Sequence, residues 1–332
     1  MSNFMKKAFT NEKWSKIADD YERNAEHFIA HWANDALHLA HQRMLDIVTK
    51  SASSTSKPTF VDVGCGTGAL CLAFAEKYLS PPPAQSAPSA MSDVQIIATD
   101  LADGMIARVD EKLDTRPRYQ HFRSQIKTMQ MDGQLLDKLD DSSADIIGSS
   151  FGLSIFPDRV KAWGSAARVL KTDGVLFATV WDSQSPNLRW VDTCSKLVYE
   201  VQLAAKNASA DDGEPPQLFV PSTKVGHDNI ANELRAAGFR DVEMYRSRHS
   251  IVCETPSTFV NGMLDNPGFS GFVEHVGRER IEDFFYEAIA QEGGFATSGT
   301  DQQGNPLTRE EVRKLTRPVT IDFIGHIVVA TK

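Results

Sequence analysis

The chain has 332 residues, of which 41% are hydrophobic and 24% charged, and 35 Lys and Arg oppose 44 Asp and Glu. The net charge of -9 and the lack of a basic run disfavour a nucleic-acid partner, because phosphate binding needs a cationic face. The four cysteines form no C-x-x-C pair, which disfavours a zinc site or a disulfide framework and predicts a reducing, cytoplasmic location. Neither a signal peptide nor a membrane-spanning run is predicted.

The first third of the chain predicts a helical region followed by a strand. Residues 11–48 carry apolar side chains at helical spacing, which predicts helix. The polar stretch SASSTSKP (51–58) is a predicted linker. The apolar run TFVDVG (59–64) stops at glycines, which is typical of a buried strand entering a tight turn. The next segment, GALCLAFAEKYL (68–79), predicts an amphipathic helix.

Strands and helices then alternate beyond a proline-rich insertion, PPPAQSAPSAMSD (81–93), which is predicted to be solvated. The predicted strands are VQIIATD (94–100), ADIIGSSFGL (144–153) and VLFATVW (175–181). The predicted helices between them are DGMIARVDEKL (103–113) and RVKAWGSAARVL (159–170), the latter closed by a KTDG turn. Such alternation predicts βαβ units and a parallel sheet.

The alternation loosens after residue 182, where a helix at 229–239 and strands at 241–252 and 319–332 are predicted. We expect three parts: an N-terminal helical lid (1–57), a cofactor-binding core (58–182) and a C-terminal part (183–332). The last part is expected to complete the sheet and to carry helical substrate-binding insertions. Those insertions are placed at 183–226 and at 256–316, where many aromatic residues suggest a lid over an apolar substrate.

The stretch FVDVGCGTGAL (60–70) contains two overlapping glycine patterns. A strand that ends in glycines lets the backbone approach an adenosine cofactor and offers the amides of a helix N-terminus to it. Gly64-x-Gly66-x-x-Ala69 fits dinucleotide-binding proteins. Gly64-x-Gly66-x-Gly68, preceded by an acid, suggests a different adenosine cofactor.

Two carboxylates bear on the choice between these patterns. Asp100 ends the next predicted strand, where an acid takes the ribose hydroxyls in dinucleotide enzymes, so spacing alone leaves both ligands open. Asp62 lies two residues before Gly64, where its charge would repel a pyrophosphate. The same charge would attract a cofactor that carries an ammonium and a sulfonium group.

Five segments in order carry a family resemblance. VDVGCGTG (61–68) resembles the first motif of class I S-adenosylmethionine-dependent methyltransferases. The other motifs follow in the family's order as ATDLADGMI (98–106), QMDGQLL (130–136), ADIIGSSFGLSIFPD (144–158) and RVLKTDGVLFATVW (168–181).

The group resembled is that of ubiquinone and menaquinone biosynthesis and related small-molecule methyltransferases, through SFGL (150–153) and WSKIADDY (14–21). The resemblance covers residues 10–182. It implies an α/β fold, namely a Rossmann-like, doubly wound, mostly parallel seven-stranded sheet with an antiparallel last strand and helical lid additions.

The resemblance also implies a set of residues that bind S-adenosylmethionine. Glycine backbone would lie under the methionine and ribose, Asp62 near the ammonium and Asp100 on the ribose, while Asp132 would take the adenine amino edge. Hydrophobic side chains would flank the adenine, two serines would line the methionine side, and two N-terminal aromatics would close the pocket. The full set is Trp14, Tyr21, Asp62, Gly64, Cys65, Gly66, Thr67, Gly68, Asp100, Leu101, Met105, Met131, Asp132, Ser149 and Ser150.

The implied reaction is in-line methyl transfer to a small molecule, with O- or C-methylation favoured and N- or S-methylation open. Alignment supplies much of such a rate, and no catalytic base stands out. His27, His31 and His38 share one face of the predicted helix, and His31 is our candidate base. No metal site is expected, since these histidines lack the H-E-x-x-H acid.

Two other functions stay open from the residues. One is an NAD(P)-dependent oxidoreductase, which the Gly64-x-Gly66-x-x-Ala69 pattern allows. The other is a non-catalytic, cofactor-binding regulatory subunit. The loop after residue 148 lacks N/D-P-P-[YF], a pattern typical of amino-group methylation, and the sequence leaves the acceptor and the oligomeric state open.

Overall fold

The structure is a computed structural model that describes residues 10–51, 57–79, 90–206, 227–291, 305 and 307–332. Most of the predicted linker (51–58) and of the proline-rich insertion (81–93) lies outside the described residues. The same holds for residues 1–9 of the predicted lid and for parts of the two predicted insertions, 207–226 and 292–304.

The N-terminal region is helical, as expected, but it is broken into several pieces. A π-helical turn at Glu22–Glu26 joins the second and third of the four helices described between residues 10 and 51. The first helix ends at Ile17, whose ψ of 4° leaves the helical range. The prediction of one helix over 11–48 is therefore wrong in its continuity. The helices are α1 (Asn11–Lys16), α2 (Ala18–Tyr21), α3 (His27–Leu39) and α4 (His41–Ser51).

Seven strands form one sheet in the order β3-β2-β1-β4-β5-β7-β6. Strands β1 to β5 pair in parallel, and β7 pairs antiparallel with β5. The predicted Rossmann-like, mostly parallel sheet is confirmed. The strands are β1 (Thr59–Val63), β2 (Gln95–Asp100), β3 (Ile126–Gln130), β4 (Ala144–Ser150), β5 (Leu170–Trp181), β6 (Arg240–Cys253) and β7 (Val319–Thr331).

The remaining helices alternate with these strands or follow them. A π-helical turn at Ala75–Leu79 extends the helix after β1, and short 3₁₀ turns lie at Ala90–Asp93 and Gln120–Phe122. The helices are α5 (Ala69–Phe74), α6 (Asp103–Thr115), α7 (Gly152–Ile155), α8 (Arg159–Val169), α9 (Pro186–Lys206), α10 (His227–Ala236), α11 (Pro256–Asp265), α12 (Pro267–Val276), α13 (Arg278–Gln291) and α14 (Arg309–Arg313).

The central strands are buried on both faces. In β4, every residue except the last is buried, because helices cover both sides of a parallel sheet. Phe60 and Phe177 stack on one face, with ring centroids 5.7 Å apart, and Trp163 is buried on the other. The parallel register brings the carboxyl ends of β1, β2, β4 and β5 to one edge, where ligands bind in such folds.

The chain divides into two compact units. The sheet unit comprises Thr10–Trp181, His227–Ser247 and Gly325–Lys332. The second unit comprises the described residues within Asp182–Gly226 and Arg248–Ile324.

Aromatic rings form the core of the second unit. Trp190 makes edge contacts with Phe259, Phe285 and Phe323, at centroid distances of 5.6, 5.7 and 5.9 Å. Phe269 packs on Phe285 in turn. Because most of these rings are buried in their own unit, their number does not support the predicted aromatic lid.

Candidate functional site

The glycine loop between β1 and α5 has a backbone that side chains would strain. Gly64, Gly66 and Gly68 have φ values of 68°, 54° and 103°, in the region that glycine tolerates best. The loop is closed by the Gly68 N–H, which donates to the Cys65 carbonyl at 3.0 Å. The Cys65 N–H donates to the Thr99 carbonyl at 2.8 Å, which ties the loop to β2.

Asp62 is fully buried at the end of β1. Its Oδ2 accepts the Cys71 N–H of α5 at 3.0 Å. Its Oδ1 is buried with no hydrogen-bond partner among the described residues. Burial raises the pKa of this carboxyl to about 7, more than the Cys71 hydrogen bonds lower it. A buried oxygen without a partner costs free energy, so the site favours a ligand group that donates to it.

Asp100 ends β2 directly beside the loop. Its Oδ2 accepts the Gly66 N–H and its Oδ1 accepts the Ala102 N–H, each at 2.9 Å. Burial raises the pKa of this carboxyl, and the backbone hydrogen bonds oppose that rise. Each oxygen keeps a further lone pair, so the carboxylate can still accept a pair of hydroxyl groups.

The N-terminal aromatics lie over this edge of the sheet. Trp14 and Tyr21 meet edge to face with centroids 6.1 Å apart, and they pack with the buried Met105 and Ala102. A Cβ on Gly66 would lie 3.7 Å from the Tyr21 ring. The pKa of Tyr21 is raised, first by burial and then by the nearby Asp100 and Glu26 carboxylates.

Helix α1 is fastened to the start of α6 by side chains that sequence reasoning missed. The Ser15 hydroxyl accepts the Gly104 N–H at 2.9 Å and donates to Asp103 Oδ1 at 2.6 Å. Asn11 Oδ1 accepts the Asp103 N–H at 2.9 Å. The free amides of the first turn of α6 are thus capped by a different helix.

A buried ion pair beside the loop was also missed. Lys112 Nζ donates to the Thr67 carbonyl at 2.7 Å and pairs with Glu26. The Thr67 hydroxyl donates to the same Glu26 oxygen. A lysine at helical spacing gives no signal of burial in the sequence, and its partner lies far away along the chain.

The segment after β3 runs beside the end of β2. The buried Met131 donates its N–H to the Asp100 carbonyl at 2.8 Å, and the Leu101 carbonyl accepts the Gln130 side chain at 3.0 Å. Asp132 Oδ1 accepts the Gln134 N–H at 2.9 Å and its side-chain N–H at 3.1 Å. The backbone therefore brings Leu101, Met131 and Asp132 close to Asp100.

The two serines at the end of β4 have local partners. The buried Ser149 hydroxyl donates to the Val63 carbonyl at 2.7 Å and accepts the Leu153 N–H at 3.0 Å. Ser150 Oγ lies 3.5 Å from Thr179 Oγ1. Ser149 thus links β1 to α7, and its place on the methionine side stays a prediction.

An aromatic cluster lies at the carboxyl ends of β4 and β5. Phe151, with a left-handed φ of 63°, stacks on Trp181 with centroids 3.9 Å apart. Trp32 of α3 meets both rings edge to face, at 5.6 and 5.5 Å. Trp181 is half-buried, whereas Phe151 and Trp32 are buried. A non-glycine residue in this conformation costs roughly 1–3 kcal/mol and is frequent at functional sites.

The histidine face of α3 is solvent-facing. His27, His31 and His38 are all exposed. Among the described residues, no group of three or more His, Cys, Asp or Glu side chains is arranged to hold a metal ion. Burial raises the pKa of the Cys65 and Cys71 thiols well above their usual range, which leaves both as unreactive packing groups.

The strand order and the glycine loop at the carboxyl end of β1 define a Rossmann-like cofactor-binding protein. The model of the ubiE/COQ5 methyltransferase family matches residues 10–257. The chain therefore belongs to this family, and it is an S-adenosylmethionine-dependent methyltransferase. The predicted family, fold, activity and cofactor are confirmed.

Solved structures resemble the chain at low identity. The YcgJ protein from Bacillus subtilis is 16% identical with a TM-score of 0.49, over 88% of this chain and 99% of that one. A SAM-dependent methyltransferase from Aquifex aeolicus is 17% identical with a TM-score of 0.36, over 64% and 89%. A search of curated proteins found no match. None of the described helices is long and apolar enough to cross a membrane.

A further structure comes from Haemonchus contortus. It is a phosphoethanolamine N-methyltransferase 2 in complex with phosphomonomethylethanolamine and S-adenosylhomocysteine. It is 14% identical with a TM-score of 0.40, over 88% of this chain and 52% of that one.

Proposed function

We propose that the chain transfers the methyl group of S-adenosylmethionine to a small-molecule acceptor, with oxygen or carbon as the favoured acceptor atom. The observation that carries the cofactor assignment is the buried Asp62, whose Oδ1 has no hydrogen-bond partner among the described residues. The ammonium group of the cofactor is a donor of matching charge. The fifteen residues predicted from the sequence are proposed as the binding set.

Asp62 and Asp100 take the central roles in this proposal. Asp62 accepts from the ammonium group, and Asp100 accepts from the ribose hydroxyls while it holds the Gly66 and Ala102 amides. The cofactor supplies an electrophilic methyl group on a good leaving group. The protein contributes alignment, since a preorganised loop and two fixed carboxylates restrict the bound geometry.

Two further parts of the proposed cofactor pocket lie next to the glycine loop and Asp100. They are an aromatic cover over the loop and a site for the adenine. Trp14 and Tyr21 lie on the loop edge, and their packing with Met105 supports a role in closing the pocket. Asp132, with Met131 and Leu101, is proposed to take the adenine. The backbone hydrogen bond between Met131 and Asp100 supports this role. It keeps the residues proposed to contact the adenine beside Asp100, which is proposed to bind the ribose.

The acceptor is proposed to be small and partly apolar. The half-buried Trp181 ring, stacked on Phe151, offers an apolar surface at the sheet edge where ligands bind. The net charge of -9 disfavours a polyanionic acceptor such as nucleic acid. His31, exposed on α3, is proposed as the base, because histidine is the side chain that most often serves as a general base.

A reducing cytoplasmic compartment is proposed from the thiols. Cys65, Cys71, Cys194 and Cys253 are free, and the first three are buried. An oxidising compartment usually pairs cysteines.

The decisive experiment identifies the acceptor. The protein is incubated with a metabolite extract and S-adenosylmethionine carrying an isotopically labelled methyl group, and labelled products are found by mass spectrometry. We expect one labelled small molecule that is absent without the protein and that forms more slowly with the Asp100→Ala variant at low cofactor concentration. Label found only on nucleic acid or protein would overturn the proposed acceptor class.

A binding measurement tests the cofactor site separately. We expect S-adenosylhomocysteine to raise the unfolding temperature and NADH to leave it unchanged, because only the first carries a cationic α-ammonium group for Asp62. Protection by NADH alone would contradict the proposed site.

A further inference from the structure

Lys112 is a charged side chain with almost no access to water. It lies on α6, and only 1% of its surface is exposed. Lysine is almost never fully buried unless it is paired, because removing its charge from water is costly. Its Nζ donates to the Thr67 carbonyl at 2.7 Å and to Glu26. The buried ammonium is therefore bound to the backbone of the glycine loop.

Glu26 completes this contact from the other side of the loop. It ends the π-helical turn between α2 and α3, and such turns are frequent at functional sites. The same carboxylate oxygen accepts from Lys112 and from the Thr67 hydroxyl. The carbonyl and the hydroxyl of Thr67 are thus both held by one ion pair, while Asp100 holds the neighbouring Gly66 N–H.

The pair is the inner end of a larger charged cluster. Glu22 pairs with Arg108 at 2.8 Å and with Arg116 at 2.5 Å, and it lies 3.7 Å from Lys112. Arg108 is part of the same helix, one turn before Lys112, and it also pairs with Asp19 and Glu111. Arg108 and Arg116 are partly exposed. Lys112 differs from them in its burial and in its hydrogen bond to the loop.

We propose that Lys112 and Glu26 are positioning residues for the cofactor and that they act as a neutral pair. The pair fixes the Thr67 peptide, and each charge cancels the field of the other at the loop. The inference rests on the proposed function, in which residues 64–68 hold the cofactor. It adds two residues, neither of which is part of the glycine motif.

If the pair is neutral, removing either charge should change the relative affinity for S-adenosylmethionine and S-adenosylhomocysteine, and the two removals should act in opposite directions. S-adenosylmethionine carries a sulfonium charge that S-adenosylhomocysteine lacks. Without Lys112, the remaining carboxylate attracts the sulfonium and favours S-adenosylmethionine over S-adenosylhomocysteine. Without the Glu26 charge, the ammonium keeps only the more distant Glu22 carboxylate at 3.7 Å, so it repels the sulfonium and favours S-adenosylhomocysteine. Coulomb energies at buried sites are large enough to shift such ratios.

The test measures Kd for both ligands by isothermal titration calorimetry at pH 8, using the full chain and the variants Lys112→Met, Glu26→Gln and the double variant. We expect Lys112→Met to weaken S-adenosylhomocysteine at least tenfold and to shift the affinity ratio at least threefold toward S-adenosylmethionine. Glu26→Gln should shift the ratio at least threefold the other way. The double variant should return the ratio to within twofold of the wild type.

The matched control is Arg108→Met, which removes a cation of the same cluster and the same helix. We expect less than threefold change in either Kd. Equal weakening of both ligands in both single variants would reduce the pair to a structural role and overturn the proposal. The same holds if Lys112→Met behaves like Arg108→Met.

A further variant keeps the test decisive if Lys112→Met does not fold. Thr67→Val keeps both charges and removes only the hydroxyl that donates to Glu26. It should weaken both ligands equally, at least threefold, and unchanged affinity would overturn the proposal. Asp100→Ala distinguishes a failure of this inference from a failure of the proposed function. If Asp100→Ala loses cofactor binding and the Lys112 and Glu26 variants do not, only this inference fails. If Asp100→Ala binds normally, the proposed cofactor site itself fails.

Discussion

The glycine loop and the histidine face of α3 belong to the same compact unit, yet their polar groups are placed in opposite ways. Asp62, Thr67 and Lys112 are buried around the loop, and each has a partner on a different segment. His27 and His31 are exposed on α3. Buried polar groups must be matched by specific partners, whereas exposed ones are free to vary. The loop therefore specifies its ligand far more closely than the helix face specifies an acceptor.

Asp100→Ala should produce the largest change on the loop side of this comparison. The variant removes a charged acceptor and also releases the Gly66 and Ala102 amides. A hydrogen bond to a charged group contributes about 2 kcal/mol, so we expect S-adenosylmethionine affinity to fall roughly thirtyfold. Calorimetric titration measures this. Asp114→Ala, at an exposed position of α6, is the control. A change within about twofold for both variants would remove the ribose role.

The buried Asp62 carboxyl predicts that the stability of the cofactor-free protein depends on pH. Its pKa is raised from 3.8 to about 7 by burial, so the folded protein disfavours the carboxylate. The unfolding free energy of the cofactor-free protein should fall as pH rises from about 4 to about 7, by up to about 4 kcal/mol. Asp62→Asn should flatten this fall, which chemical denaturation at several pH values measures.

Cofactor binding should reverse the protonation preference of Asp62, so that the carboxylate becomes the favoured form. The ammonium group favours the carboxylate, so affinity should rise roughly tenfold from pH 5.5 to 7, where the ammonium stays protonated. Asp62→Asn should show a nearly flat profile over the same range. Parallel profiles for the two proteins would exclude Asp62 as the group that senses pH.

Gly104→Ala tests whether the N-terminal aromatics belong with the loop. A Cβ at this position would lie 2.7 Å from the Ser15 backbone, so α1 must move and carry Trp14 with it. We expect affinity to fall about fivefold, although alanine by itself favours helix by about 1 kcal/mol. The control is Gly164→Ala in α8, where nothing lies within 4 Å. If the two variants bind alike, Trp14 is not part of the cover.

His31→Ala should produce the smallest effect on cofactor affinity, less than about twofold, because the side chain is exposed. Once the acceptor is known, the same variant tests the base. We expect kcat to fall and the acidic limb of the pH profile to flatten, since general bases typically contribute about 10²–10⁴-fold. An unchanged kcat and pH profile would remove His31 from the mechanism.

The sheet was predictable where apolar runs were continuous. TFVDV and ADIIGSS gave β1 and β4 because both strands are buried on both faces. Strand β3, IKTMQ, was not predicted from its residues. It lies at the edge of the sheet, and only Ile126 and Met129 of its five residues are apolar. The glycine motif and its two acids were also found, since their chemistry depends on local spacing.

Other parts of the site depend on contacts that spacing does not encode. Ser15 and Gly104 meet only after the chain has folded, and Glu26 reaches Lys112 across a similar separation. Ser149 is predicted at the cofactor from its motif, but the motif does not predict that its hydroxyl links two backbone segments. A serine in a motif gives no sign of which partner its hydroxyl will find. The role of the aromatic residues in the second unit was not predictable for the same reason. Aromatic residues in a sequence are equally consistent with burial in a core and with contact to a ligand.

The position of β7 between β5 and β6 sets an order of assembly during synthesis. Strand β6 ends at Cys253 and β7 begins only at Val319, so β6 leaves the ribosome well before its neighbour in the sheet exists. Until β7 is made, the hydrogen-bonding edge of β5 is also open, and exposed edges invite pairing with other chains. The nascent protein should therefore depend on chaperones mainly between the synthesis of β6 and that of β7.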